Sequence, residues 1–438
     1  MGSKTTIIQE FANYTLKNIF ASLGLSLYVI VDTLFIALAA GAIGLASLNI
    51  VLPIFNLFSS VGLLLGIGGA TIYSMNKERH LNNTISLYGQ LLILGILVGI
   101  FFVIIANLFT NQLLYLMGAN SQTIAVAAPY LRIISLSAPL FIANYISVNF
   151  IRNDGNPKLT MIATLSETGV VVIADYLLVF TFGLGMNGAA FATLIAPLTS
   201  LAILTNHRFF PARNLRLKLR MPNFVLVKSV IRLGFPSLLT ELSTGISIFV
   251  FNIVLLRLGG NYEVAAYGVI ANIGIIVLAF FNGVSFGMQP LVAREYGKNN
   301  WEHVHKILYA SLITCSAIAL VGYLFLIIFK YPVINIFNNE HNNLLVTYAS
   351  YGIPLYFLSL FFSGININIM LFSVSINQPR LSFFISLLRG YLILLPTIII
   401  FGYLFGITGV WLSVPFTELI VALFGTLFLR NILTQNFA

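Results

Sequence analysis

Residues 86–109 read SLYGQLLILGILVGIFFVIIANLF, without one charged side chain. A helix rises 1.5 Å per residue and the hydrocarbon layer of a bilayer is about 30 Å thick, so roughly 20 apolar residues cross it. Runs of that length recur along the 438-residue chain. They lack strand-period alternation, which excludes a β-barrel. Hydrophobic residues make up 59% of the chain and charged residues 8%, against about 25% charged in a soluble domain. With so little polar surface, the chain takes lipid as its main solvent.

The runs predict twelve spans, at roughly 18–40, 47–75, 86–109, 123–148, 158–181, 187–206, 231–257, 264–290, 306–329, 345–373, 381–403 and 409–429. The first is long enough to span and is followed at once by another, so it reads as a retained helix rather than a cleaved leader. The single cysteine, Cys315, lies in an apolar run and reads as a packed thiol.

An even number of spans puts both ends on one side. That side collects Lys4, Lys17, Lys77, Arg79, Arg152 and Lys158, seven cations from Arg208 to Arg232, then Arg294, Lys298, Lys306, Arg380 and Arg430. The other side has Arg257 and Lys330, while Arg132 and Arg389 fall within spans. The basic side is expected to be cytoplasmic, with both termini inside. The net charge of +10 is then a topology signal, and no nucleic acid is needed to explain it.

The most basic loop, around 207–230, divides the chain, and its two sides resemble each other. Gly62-x-x-x-Gly66 and Gly283-x-x-x-Gly287 are 221 apart (283 − 62). Asn156-Pro157-Lys158-Leu159 and Gln378-Pro379-Arg380-Leu381 are 222 apart (379 − 157), and Gly188 and Gly409 are again 221 apart (409 − 188). Three sites in register outweigh the tendency of Gly and Pro to recur in membrane helices. The expected organisation is a six-helix half over 1–206, a basic linker over 207–230 and a second half over 231–438. Halves with even span numbers share an orientation and are related by a pseudo-twofold axis along the membrane normal. The fold class is thus all-α and polytopic, with twelve transmembrane helices in two six-helix lobes.

Several strings resemble the multidrug and toxic compound extrusion (MATE) family, and in particular its proton-coupled bacterial and archaeal members. They include Val31-Asp32-Thr33-Leu34-Phe35-Ile36, Pro53-Ile54-Phe55-Asn56-Leu57-Phe58 and Gly66-Ile67-Gly68-Gly69-Ala70-Thr71. Further matches are Ile151-Arg152-Asn153-Asp154-Gly155-Asn156-Pro157-Lys158, Ala174-Asp175-Tyr176, Gly234-Phe235-Pro236-Ser237, Phe286-Gly287-Met288-Gln289-Pro290-Leu291 and Gly409-Val410-Trp411. Their order covers nearly the whole chain. The resemblance implies a V-shaped pair of lobes. It also implies export of organic cations and other amphipathic drugs, driven by H⁺ or Na⁺ entry.

An ionised side chain at mid-membrane costs about 2.5–3.5 kcal/mol on insertion scales, so intramembrane acids are functional candidates by default. Asp32, Glu167, Asp175, Glu241 and Glu418 fall within spans. Asp32 has no cation close in sequence, and burial without a counter-ion disfavours the charged form of a carboxyl. Its position matches the acid the family keeps in span one, so it is expected to bind the coupling ion. Asp175 lies at a similar depth. The resemblance implies that it joins Asp32 in a hydrogen-bonded network with the Thr193 hydroxyl. The family's Asn one turn before that acid is replaced here by Val171.

Glu241 has two readings: a cation-binding group, or a structural partner of Arg389, for which Glu418 is the rival. Glu167 reads as structural, and Arg132 as a cation that could neutralise an acid of the first half. Asn56, Asn366 and Asn368 are candidate cavity contacts, with helix packing as the alternative for the last two. Span ten carries no carboxylate, unlike some sodium-coupled members.

No Walker-type string, nucleophile elbow or Cys/His cluster at metal spacing is present. The chain is therefore expected to be no enzyme and to need no cofactor, with H⁺ favoured over Na⁺ as coupling ion. Its expected partners are drug substrates and lipid, and its expected state a monomer in the cell membrane. A flippase for a lipid-linked or polysaccharide precursor is the alternative. The two intramembrane arginines offer it little of the cationic cavity such a cargo needs.

Overall fold

In hydrocarbon every backbone polar group must find its partner within the protein, and a single segment achieves this only as a helix. The computed structural model describes residues 6–76, 82–218, 220–337 and 343–435, and among them all regular structure is helical. Lys4, Lys77, Arg79, His80 and His341 lie outside the described residues.

The spans are α1 (Ile7–Gly41), α2 (Ser47–Asn76), α3 (Asn82–Leu108), α4 (Ser121–Ser135 with Ala138–Asn153), α5 (Pro157–Asp175) and α6 (Gly185–Leu204). They continue as α7 (Phe224–Leu258), α8 (Asn261–Gly297), α9 (Trp301–Ile328) and α10 (Asn343–Phe357 with Leu360–Ser375). The last stretch, Pro379–Ile432, holds 54 residues, or about 81 Å of helix, enough for two crossings. It is broken at Gly406 (φ 61°, ψ −144°), as α1 is broken from α2 at Gly41 (φ 57°, ψ −151°). We label its parts α11 (379–405) and α12 (407–435). Among the described residues this gives the twelve expected spans. α1 begins well before the expected 18.

The duplication is geometric as well as sequential. α4 and α10 are each bent, by 48° and 49°. All four segment boundaries shift by 222 from one to the other: 121 to 343, 135 to 357, 138 to 360, 153 to 375. Ser137 and Ser359, at the same offset, start the second segments. Asn156 (φ −119°, ψ 60°) and Gln378 (φ −113°, ψ 60°) open α5 and α11 with a proline directly after each. That proline fits the first turn because its missing N–H would be unsatisfied there anyway. Gly185 and Gly406, 221 apart, both have positive φ, 55° and 61°.

Contacts divide the chain into two compact units. The first comprises the described residues of Phe20–Leu242 together with Ala293–Asn300; the second comprises those up to Ile19, Ser243–Val292, and those from Trp301 onward. α1 and α7 therefore each pass from one unit to the other. Within the second unit, a Cβ on Gly283 would stand 2.5 Å from Ile19 Cα, and one on Gly287 2.6 Å from Thr15 Cα. The start of α1 thus lies backbone-to-backbone on α8. Within the first unit, a Cβ on Gly234 would stand 2.9 Å from Leu64 Cα, so the start of α7 lies as closely on α2. Small residues permit such approach, and in lipid close packing is what drives helices together.

Candidate functional site

In the first unit α1 carries Tyr28 and Asp32 one turn apart, on one face. α5 is started by Asn156, whose side-chain oxygen accepts from the Leu159 N–H at 3.2 Å, a standard helix N-cap. The helix keeps α geometry to Asp175 and then widens to π geometry over Tyr176–Thr181. Such widening recurs at functional sites.

Asp32 and Asp175 are both buried, and each lies within hydrogen-bonding reach of the other. Asp32 Oδ1 and both Asp175 carboxyl oxygens receive no N–H or O–H from any other described residue. No cation pairs with either acid among the described residues. Two carboxyl groups so placed repel when both are ionised, and are joined when one holds a proton. Thr193 on α6 is buried with an unpartnered Oγ1 and lies beside Tyr28. Tyr130 on α4 is buried and lies near Tyr28, Asp32 and Asp175. Val171 is buried and brings no polar group. The cluster offers oxygen ligands alone, which suits a proton or a hard monovalent cation. No group of three or more His, Cys, Asp or Glu suited to a metal occurs among the described residues.

The other candidates fall elsewhere. Of the two acids weighed as partners of Arg389, the structure gives it Glu418: Arg389 Nε donates to Glu418 Oε1 at 2.6 Å. Asn366 adds its Nδ2 to Glu418 Oε2 at 2.6 Å and to the Glu418 carbonyl at 2.9 Å. Arg389 itself sits in a π-helical turn, Leu388–Leu392. Glu241 groups with the first unit and is half-buried. Asn368 is fully buried, accepting from Ser311 Oγ at 3.0 Å and facing Cys315 Sγ at 3.6 Å. Asn366 and Asn368 are thus both engaged in buried hydrogen bonds between helices. Asn56 is half-buried. Glu167 accepts from Asn144 Nδ2 at 2.9 Å, which fits its structural reading. Arg132 is exposed and donates through Nε to Thr110 Oγ1 at 3.4 Å. No acid pairs with it among the described residues.

Two features escaped the sequence. Tyr28 and Tyr130 join the acids; the one-turn spacing of Tyr28 from Asp32 was the available signal. Asp154, in the Ile151–Lys158 string, organises the start of the linker. It accepts from Tyr73 Oη at 2.6 Å, from the N–H groups of Asn214 and Leu215 at 3.1 and 3.0 Å, and contacts His207 Nε2 at 2.8 Å.

Residues 18–177 and 236–398 match the MatE family in two blocks that fall on the two halves of the repeat. The chain belongs to the MatE family. It is 25% identical over 429 residues to the multidrug export protein MepA of Staphylococcus aureus (strain MRSA252), covering 96% of this chain and 93% of that protein. It is 26% identical over 432 residues to MepA of Staphylococcus saprophyticus, with the same coverage. Among solved structures, an outward-facing multidrug resistance MATE family transporter of the MOP superfamily superposes with a TM-score of 0.92. That match has 20% identity and covers 99% of this chain and 97% of the other. The MatE chain described here is accordingly a multi-pass membrane transporter of two six-helix halves, and not an enzyme.

Proposed function

We propose that this MatE protein is a secondary active transporter that exports organic cations and amphipathic drugs, in exchange for H⁺ rather than Na⁺. The observation that carries the reading is the Asp32–Asp175 pair: two buried carboxyl groups in reach of each other, with no cation beside them among the described residues. A proton arriving at the pair replaces repulsion by a hydrogen bond, and its loss restores the repulsion. Two states of different geometry then follow from one proton, which is what coupling requires. Tyr28, one turn from Asp32, provides a hydroxyl that can take up a bond a departing proton leaves open, and Thr193 lies beside Tyr28.

The names of the MepA relatives support a drug cargo. The positive-inside distribution supports a cytoplasmic location of both termini in a plasma membrane, and we take the single chain as the working unit. The deciding experiment is transport of fluorescent organic cations in proteoliposomes under H⁺ and Na⁺ gradients imposed separately. Efflux under the H⁺ gradient alone is expected. Efflux under neither gradient removes the exporter reading, and efflux under Na⁺ alone reverses the ion assignment.

A further inference from the structure

The linker between the halves combines three properties that go beyond its part in setting the topology. Arg208, Arg213, Arg216, Lys218, Arg220, Lys228 and Arg232 are all exposed, and none of them forms an ion pair among the described residues. No Asp or Glu occurs anywhere between Asp175 and Glu241. Large apolar side chains lie among these cations with their surfaces bare: Phe224 is 87% exposed, Met221 84% and Val225 75%.

The backbone beneath them is nonetheless held. Asp154 grips the N–H groups of Asn214 and Leu215. The Leu215 side chain is buried in a core cluster with Leu87, Phe150 and Val230. Downstream, the Asn223 N–H donates to Gln90 Oε1 at 2.8 Å, and Asn223 Oδ1 in turn caps the start of α7 by accepting from the Val225 N–H. Arg216, Lys218 and Arg220 thus lie between two anchored points, where the chain leaves one span and enters the next.

We propose that the described residues of 208–218 and 220–232 form a docking surface for the headgroups of anionic phospholipids, with Met221, Phe224 and Val225 inserted among the acyl chains. Uncompensated positive charge selects a negatively charged surface. Bare apolar side chains beside it select lipid over a soluble anion. Stable membrane attachment takes such a pair of signals, a basic cluster and an apolar insertion. The fixed backbone lowers the ordering cost of binding. This surface is separate from Asp32 and Asp175, so ion coupling and lipid binding fail independently.

The test is lipid retention by the purified full chain, measured by native mass spectrometry from mixed phosphatidylcholine and phosphatidylglycerol. Wild type is expected to retain phosphatidylglycerol selectively. The combined variant Arg213→Gln, Arg216→Gln, Lys218→Gln, Arg220→Gln should lose that selectivity, by about fivefold per cation removed, equivalent to about 1 kcal/mol each. Met221→Ser with Phe224→Ser should weaken retention while leaving the charge intact. Should the quadruple variant fail to fold, wild type alone decides, since its selectivity must fall as salt is raised from about 0.05 M to about 0.5 M. Equal retention of both lipids by wild type, selectivity unchanged in the folded quadruple variant, or displacement of the lipid by free glycerol phosphate would each overturn the proposal.

Discussion

The carboxyl groups of Asp32 on α1 and Asp175 on α5 lie within hydrogen-bonding reach of each other although their positions are 143 residues apart (175 − 32). Both are buried, and no cation among the described residues compensates them. Asp32→Asn and Asp175→Asn each keep the shape of the pair but remove its capacity to gain and lose a proton. Each is expected to reduce H⁺-driven efflux in proteoliposomes to the uncoupled background while leaving folding intact. Wild-type rates in either variant would disprove its place in coupling.

The second unit holds its charge differently. Arg389 and Glu418 are paired at 2.6 Å with Asn366 as third member. Removing one member of a buried pair strands the other, at a cost of about 3–5 kcal/mol. Glu418→Gln is therefore expected to lower the thermal unfolding midpoint in detergent. Replacing both charges, as Arg389→Met with Glu418→Leu, should recover most of the loss.

Gly185 and Gly406 both hold a positive φ, 55° and 61°, and a Cβ at either meets no atom within 4 Å. Alanine at either position therefore pays for conformation alone, about 1–2 kcal/mol. A loss of stability is expected from each of Gly185→Ala and Gly406→Ala. Gly188→Ala should cost more, because its Cβ would come within 2.7 Å of the Leu178 backbone.

Asp154 receives bonds from Tyr73 and from the backbone of residues 214 and 215. Its loss leaves those buried donors without an acceptor, at about 1–3 kcal/mol. Asp154→Ala is expected to loosen the linker, and limited trypsin digestion should then cut at Arg213 and Arg216 several-fold faster than in wild type.

Much of the fold was legible because lipid leaves the chain few options. Segments such as 86–109 had to be helices, and the +221 and +222 offsets announced a duplicated half. Pro139 and Pro354 permit bends in α4 and α10, but the match between the two bends was not legible. Ser137 and Ser359 mark them, yet a serine within an apolar run carries no strong signal, and the prolines nearby, Pro139 and Pro354, are not in register. Asp32 and Asp175 stood out because a charge is costly at their depth. Their tyrosine neighbours did not, because an aromatic residue in a membrane helix has many ordinary uses. The partner of Arg389 could not be chosen from spacing, since Glu241 and Glu418 both fell in spans. The unit boundaries were hidden as well. Nothing in the composition of α1 or α7 says that its first turns belong elsewhere.

Those two helices tie the stability of each half to the presence of the other. Each half lends the opening of its first helix to the other's unit, as in an exchange of arms between subunits. A lone six-helix half would therefore lack a piece of its own packing. Severing residues 207–230 and producing the fragments separately should accordingly yield two polypeptides that are stable only in each other's company.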